Sequence, residues 1–469
     1  MSRRKKLLSD TLIIGIGTFG SKLLVFVLMP LYTAYLSAAQ YSTAELITGT
    51  ANLLIPFACV GITNGVFRFC AERGSDKGAV LSSSVAILGI GSGVFLLLAQ
   101  LLNLTAYFKG YVWLILLYVV MANLQAVCAQ YVRAIDRTRL FAVQGIFNTF
   151  ITAAFNVFFL VACGMGVVGY VLSVILGNLI TTAFLVIRAR MWQMMRVSFV
   201  NRSLMKELVR FSLPLVPTTV CWLITDISDR YLVTYFWGDA INGVYSAAYK
   251  IPTLLTVVSG IFMQAWQLSA VAESEDRESC GRFYSEVFGG FLSVTSIGAA
   301  GLILLSPVLT SLLLNEAYAG AAYYMPTLIL SAALSATVSF LASAYMVTKK
   351  SMNSFVTAIS GAVLNVLLNL VLIPRMGAIG AAVATLASYG LVLLLRMIDV
   401  PRLLAFRLYL PRLIASLALL ALVCTMMTVR PIGWWNIIAL LGTAAVMLIN
   451  ALPLWKSLMS MLRRRGITK

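Results

Sequence analysis

Apolar residues in this chain come in long runs rather than in strict alternation. Runs of about 20 mainly apolar residues recur, and each is long enough to cross a bilayer core as a helix. The pattern predicts about 14 such segments, near 9–36, 42–69, 79–102, 110–133, 140–164, 166–188, 208–237, 241–270, 284–314, 321–347, 352–374, 378–398, 410–428 and 434–455. The first follows "MSRRKKLLSD". It is too long for a signal-peptide core of about 7–15 residues and reads as an uncleaved transmembrane helix. No connection exceeds roughly 20 residues, which leaves no room for a soluble catalytic domain. The expected fold class is an all-α polytopic membrane protein.

Composition supports this class. Of 469 residues, 61% are hydrophobic and 11% charged. A soluble domain is nearer 45–50% apolar and about 25% charged. The net charge of +19 would suggest nucleic acid in a soluble protein. Here it belongs to cytoplasmic loops, so nucleic acid is not expected as a partner. With the N-terminus inside, about 29 Lys and Arg fall on the inner side and about three (Lys109, Arg375, Arg430) on the outer. Arg396, Arg402, Arg407 and Arg412 count with the inner group. Both termini are therefore expected in the cytoplasm. The basic tail "WKSLMSMLRRRG" reads as an amphipathic surface helix on anionic lipid.

Several chemistries drop out. Without a histidine there is no His catalysis, HExxH zinc site or His proton relay. The seven cysteines are scattered and form no CxxC, so neither disulfides nor metal sites are expected. No GxxxxGK[ST] and no GxSxG occurs. The chain reads as a non-enzyme without a cofactor, and a secondary transporter fits.

The first twelve segments look duplicated. "YSTAELI" at Tyr41–Ile47 matches "YSAAYKI" at Tyr245–Ile251, about 204 residues on. "GVVGYVLSVILGN" at Gly166–Asn178 matches "GAIGAAVATLASY" at Gly377–Tyr389, about 211 on. "GSK" at Gly20–Lys22 loosely matches "SDR" at Ser228–Arg230, about 208 on. Six helices is an even number, so both copies share one orientation, as in a parallel repeat. The expected domains are an N-terminal six-helix lobe (1–206), a C-terminal six-helix lobe (207–398), and two extra helices with a basic tail (399–469).

Lys22, Arg230 and Lys250 fall inside predicted spans. Charges there are rare and usually face a cavity, which makes them candidate binding residues. Asp226 lies four residues and Asp229 one residue before Arg230. The acids either neutralise Arg230 in an internal salt bridge or orient it toward a ligand. By pseudo-symmetry Lys22 is expected across from Arg230, with the basic groups ringing a polar cavity. Pro214 and Pro217 interrupt the helix 7 ladder, as a gating bend or a static kink. Arg68 is either a positive-inside anchor or the rim of a cytoplasmic entrance. Glu45 is expected at the membrane interface. Asn148, Asn156, Asn365 and Asn369 are expected to hydrogen-bond between helices.

Three stretches carry a family resemblance: "MPLYTAYLSAAQYS" (Met29–Ser42), "FSLPLVPTTVCWLITDISDRYLVTYFWGDAINGVYSAAYKIP" (Phe211–Pro252) and "LNLVLIPRMGAIGAAVATLASYG" (Leu368–Gly390). With them the chain resembles the polysaccharide-transporter (Wzx-type) flippases of the multidrug/oligosaccharidyl-lipid/polysaccharide exporter superfamily. Ser42 stands where that family often has glycine. The resemblance implies two six-helix bundles facing a central cavity and working by alternating access. It implies a bacterial inner-membrane protein that moves undecaprenyl-diphosphate-linked oligosaccharide to the outer leaflet. Implied partners are membrane lipids and, in the envelope-synthesis machinery, a glycan polymerase or its associates. Arg230, Lys22 and Lys250 would then meet the diphosphate. Two related readings stay open, a MurJ-type lipid II flippase and a cation-coupled multidrug and toxin extruder. A third, from another class, is a non-transporting scaffold.

Overall fold

The computed structural model describes residues 26–72, 74–98, 108–272, 277–348, 350–404, 406–429 and 434–464. Among them every regular element is helical. Packing divides the chain into two compact units, Met1–Tyr231 and Leu232–Lys469.

The first unit contains α1 (Met29–Tyr35), α2 (Ala38–Ala58), α3 (Ile62–Ala71), α4 (Lys77–Leu98), α5 (Val112–Ala134), α6 (Thr138–Asn156), α7 (Gly166–Ala189) and α8 (Arg202–Ser212), with α9 (Val216–Trp237) crossing the division. Ser37 starts α2 through a reciprocal capping box with Gln40. Ser42 therefore lies one turn inside a helix. Helices α2 and α3 meet at a 54° bend. Val60 and Gly61 carry it with φ of 52° and 66°. A Cβ on Gly61 would also stand 3.0 Å from Val216 Cγ2 and 3.2 Å from the Ser212 carbonyl oxygen, so glycine answers both demands. Cys59, Ile62, Val66, Leu81, Val127, Tyr131, Leu185 and Leu208 form the core under this bend.

The seventh apolar segment, expected as one span over 208–237, is divided. Its first part belongs to α8, an amphipathic helix capped by Asn201, which accepts from the backbone N–H of Ser203 and Leu204. A 3₁₀ turn, Leu213–Leu215, leads into α9. Pro214 and Pro217 occupy first-turn positions, where a missing N–H costs no intrahelical bond. They redirect the chain between two helices.

The second unit contains α10 (Asp239–Lys250), α11 (Pro252–Ala272), α12 (Arg277–Leu313), α13 (Ala321–Val347), α14 (Ser351–Met376), α15 (Ala378–Leu403), α16 (Leu410–Val429) and α17 (Trp435–Arg464). Helix α13 is its centre, packed against α10, α11, α12, α14, α15 and α16. Tyr284, Phe288, Phe291, Phe340, Tyr345 and Phe406 form an aromatic core, with Val400 packed in the same cluster. "WKSLMSMLRR" continues α17, and no separate surface helix is made from it.

Eleven helices among the described residues are long and apolar enough to span a membrane, or twelve with the bent pair α2–α3. Two further predicted spans explain most of the distance to about 14. Residues 9–25 of the first lie outside the described residues, and α9 carries Asp226, Asp229 and Arg230, which lower its apolar score. The chain is a multi-pass membrane protein.

Arg396, counted with the inner group and lying within the predicted span 378–398, is buried in α15 at 1% exposure. Its guanidinium donates to Thr357 Oγ1 (3.1 Å), the Val338 carbonyl (2.7 Å) and the Ser354 carbonyl (3.4 Å). Of the asparagines expected between helices, Asn148 donates to Asn178 across α6–α7 at 2.9 Å, and Asn365 to Thr385 across α14–α15 at 3.2 Å. Asn156 bonds within its own helix, to the Thr152 carbonyl.

Candidate functional site

Helix α2 presents Tyr41, Glu45 and Asn52 at helical spacing on one face. Glu45 is only 3% exposed. Its Oε2 accepts from Arg230 Nη1 on α9 at 3.0 Å, and its Oε1 accepts from the Tyr170 hydroxyl on α7 at 2.9 Å. Tyr32 on α1 packs edge-on to Tyr170 with ring centroids 4.9 Å apart. Tyr41 stacks on Tyr32 at 6.4 Å and meets Tyr170 edge-on at 6.2 Å. Tyr118 on α5 donates to Asn52 Oδ1 at 3.3 Å. Beside Arg230, the Tyr231 hydroxyl bonds Thr50 on α2, and Phe108 lies edge-on to the Tyr231 ring. All of these residues belong to the first unit.

The result is an ion pair in an aromatic shell. Aromatic rings exclude water while their hydroxyls still offer hydrogen bonds. The pair is unequal, because 14% of the Arg230 side chain stays accessible against 4% of Glu45. The cation is at the edge and the anion lies beneath it. A buried pair contributes little net stability, yet removing one partner is costly, because the other charge is left in low dielectric. Such a pair can exchange its accessible member's partner for an external anion.

The structure places the remaining candidates as follows. Lys22 lies outside the described residues, as does the side chain of Asp226. Asp229 is buried in α9 at 2% exposure. Lys250 is the last residue of α10, where its charge complements the helix C-terminus. Pro252 then opens α11, and the Thr253 hydroxyl bonds the Lys250 carbonyl. Arg68, with 60% of its side chain exposed, pairs with Glu72 at 3.7 Å and lies over the Phe211 ring at 5.0 Å.

Glu45 is the residue that sequence reasoning misplaced. Expected at the interface, it is buried and holds Arg230. A signal was present, since Glu45 is the sole Asp or Glu between Asp10 and Glu72, inside an apolar run. Its partner lies 185 residues away, beyond any local pattern.

The model of the polysaccharide biosynthesis protein family matches residues 7–267. No curated protein matches the chain. Among solved structures, the lipid II flippase MurJ in an inward closed conformation superposes with a TM-score of 0.72 at 15% identity, covering 96% of this chain and 100% of that one. A multidrug-resistance MATE family transporter in its inward-facing conformation gives a TM-score of 0.67 at 14% identity, covering 83% and 94%. A MOP superfamily transporter from Pyrococcus furiosus, described as having a binding pocket of reversed polarity, gives 0.61 at 14% identity, covering 84% and 96%. At these identities the likeness is one of fold.

Proposed function

The chain belongs to the polysaccharide biosynthesis protein family, matched over residues 7–267, and from that premise we propose that it is a flippase for lipid-linked oligosaccharide. The cargo is an undecaprenyl-diphosphate-linked glycan moved from the inner to the outer leaflet of the bacterial inner membrane, with both termini in the cytoplasm. The observation that carries the reading is Arg230, a partly accessible cation within a membrane helix, held by an exchangeable partner. Lys22 and Lys250 add positive charge for the diphosphate. Asp226 and Asp229 tune Arg230, and Arg68 meets cargo at the cytoplasmic side. A diphosphate carries about two negative charges, and each charge crossing the full field is worth roughly 2.3 kcal/mol per 100 mV. An interior-negative membrane therefore favours its outward movement.

The buried carboxylate of Glu45 favours one rival, an exporter of organic cations. Reconstitution decides between the two. Proteoliposomes holding a fluorescent undecaprenyl-diphosphate saccharide are expected to expose it to an external quencher in a protein-dependent manner, with Arg230→Gln slowing this at least tenfold. Transport of a cationic dye with no movement of the glycolipid would overturn the proposal.

A further inference from the structure

Arg133 stands in the last turn of α5 with its guanidinium between two aromatic rings. Its Cζ lies 4.8 Å from the centroid of Phe67 on α3 and 5.5 Å from that of Phe141 on α6. We propose that this guanidinium is a binding site for the phosphate group of a lipid. The site lies wholly within the first unit, does not involve Arg230 and does not depend on the flippase reading.

Three observations carry this. First, the donors of Arg133 are unspent. It is exposed, and among the described residues its guanidinium meets the two rings but no hydrogen-bond acceptor and no carboxylate. Second, the usual task of a cation in a last turn, to offset the helix C-terminal carbonyls, is already met by the backbone. The N–H groups of Ile135, Asp136 and Arg137 donate to the carbonyls of Tyr131, Arg133 and Val132 at 3.0, 3.2 and 3.2 Å. Third, the cation is held in advance. Both centroids lie within the range of about 6 Å over which a ring attracts a cation. Val66 and Val132, which directly precede Phe67 and Arg133, are at 0% exposure in one core, so α3 and α5 are fixed against each other at this point. Less side-chain freedom is then lost when a ligand arrives.

The chemistry of the site selects the ligand class. A guanidinium stacked on a ring keeps its N–H edge open, and that edge matches two oxygens of one phosphate. Arg137 and Arg139 follow at the start of α6, both exposed, and Arg68 follows Phe67. Of the acids in these stretches, Glu72 is paired with Arg68 at 3.7 Å, and Asp136 makes no ion pair with Arg133. The local balance therefore favours an anion. Phe67 is 37% exposed, which sets an apolar surface beside the charge. A free phosphate uses the guanidinium alone, whereas a phosphate carried on an apolar chain uses both.

The test labels exposed arginines of the full chain with phenylglyoxal, in a maltoside detergent that contains no phosphate, and reads each site by peptide mass spectrometry. The probes are farnesyl diphosphate, a short-chain phosphatidylglycerol and inorganic diphosphate, with farnesol as the uncharged control. Arg202, an exposed cation at the start of α8, is the internal reference. At saturation at least one of the two lipid probes is expected to slow labelling of Arg133 at least tenfold while leaving Arg202 unchanged, and the probe that protects at the lower concentration names the head group. Farnesol should give no protection. Phe67→Leu keeps apolar bulk but removes the ring, and it should raise the concentration needed for half-protection about two- to fivefold. Labelling of Arg133 that no phosphate probe slows, or that slows only as much as at Arg202, overturns the site. Inorganic diphosphate that protects as well as both lipid probes overturns the lipid assignment. The wild-type protection pattern needs no variant, so it decides even if Phe67→Leu fails to fold.

Discussion

Matched positions of the internal repeat keep the same packing and differ in charge. Tyr41 and Tyr245, Ser42 and Ser246, and Ala44 and Ala248 are all at 0% exposure. Four residues after the tyrosine the copies part. The first has Glu45, buried against Arg230. The second has the half-buried Tyr249, followed by Lys250 at the end of α10. Helix α2 runs past this point to Ala58, whereas α10 stops there and Pro252 restarts the chain. The starts of α7 and α15 behave likewise. Gly166 and Gly377 both take positive φ, at 54° and 73°. Three residues on, Gly169 and Gly380 both admit a close neighbour. Packing positions are thus shared because both copies must cross helices at the same distances. The charges stand at positions that this packing does not constrain, so each copy carries a different set.

The largest expected effect concerns the charged positions. Arg230→Ala removes the guanidinium from the buried Glu45 carboxylate and should lower stability by about 3–5 kcal/mol. Adding Glu45→Ala should recover most of that loss. Lys250→Ala, at a half-buried helix end, should cost no more than about 1 kcal/mol. Detergent-titrated unfolding followed by circular dichroism measures all three, and equal losses at Arg230 and Lys250 would break the contrast.

A second guanidinium, the buried Arg396, sharpens it. Arg230 has a carboxylate partner, while the hydrogen bonds of Arg396 go to a hydroxyl and two carbonyls, with the Tyr345 ring 5.7 Å away. Arg396→Lys keeps the charge but cannot span three acceptors with one fork. It should cost about 2–3 kcal/mol in the same assay. A loss near zero would mean that charge alone is what α15 needs.

Smaller effects test the shared packing. A Cβ at position 380 would meet the Leu372 carbonyl oxygen at 2.6 Å, a backbone atom. At position 169 it would meet the Cβ atoms of Phe159 and Met165 at 2.9 and 3.0 Å. Gly380→Ala should therefore cost about 2 kcal/mol and Gly169→Ala about 1. The reverse order would show that the crossing in the first copy is the tighter one. Smallest is the cap. Ser37 caps α2 through its side chain, whereas α10 begins at Gly238, which has none. Ser37→Ala should cost about 1 kcal/mol, read as a shift in unfolding midpoint.

Much of the fold was legible in the sequence because a membrane helix must satisfy its backbone internally and present about 20 apolar residues to lipid. That requirement writes each span into consecutive residues. It made the long helices, the matching glycines and the all-α class readable, and the "SLPLVPTT" prolines marked an interruption, though not that it separates α8 from α9; the break before Pro252 was not read from the 241–270 segment. The candidate site was readable only in part. The sequence by itself nominated Arg230 as an expensive charge in a greasy helix. Only the tertiary structure joined it to Glu45, 185 residues earlier, and enclosed the pair with tyrosines from α1, α2 and α7. It likewise gave Arg396, readable only as a cation near the end of the 378–398 segment, its acceptors, the carbonyls of α13 and α14. Hydropathy is a property of neighbours in the chain, whereas the partner of a charge is set by which helices pack together, and no window along the sequence contains both members of such a pair.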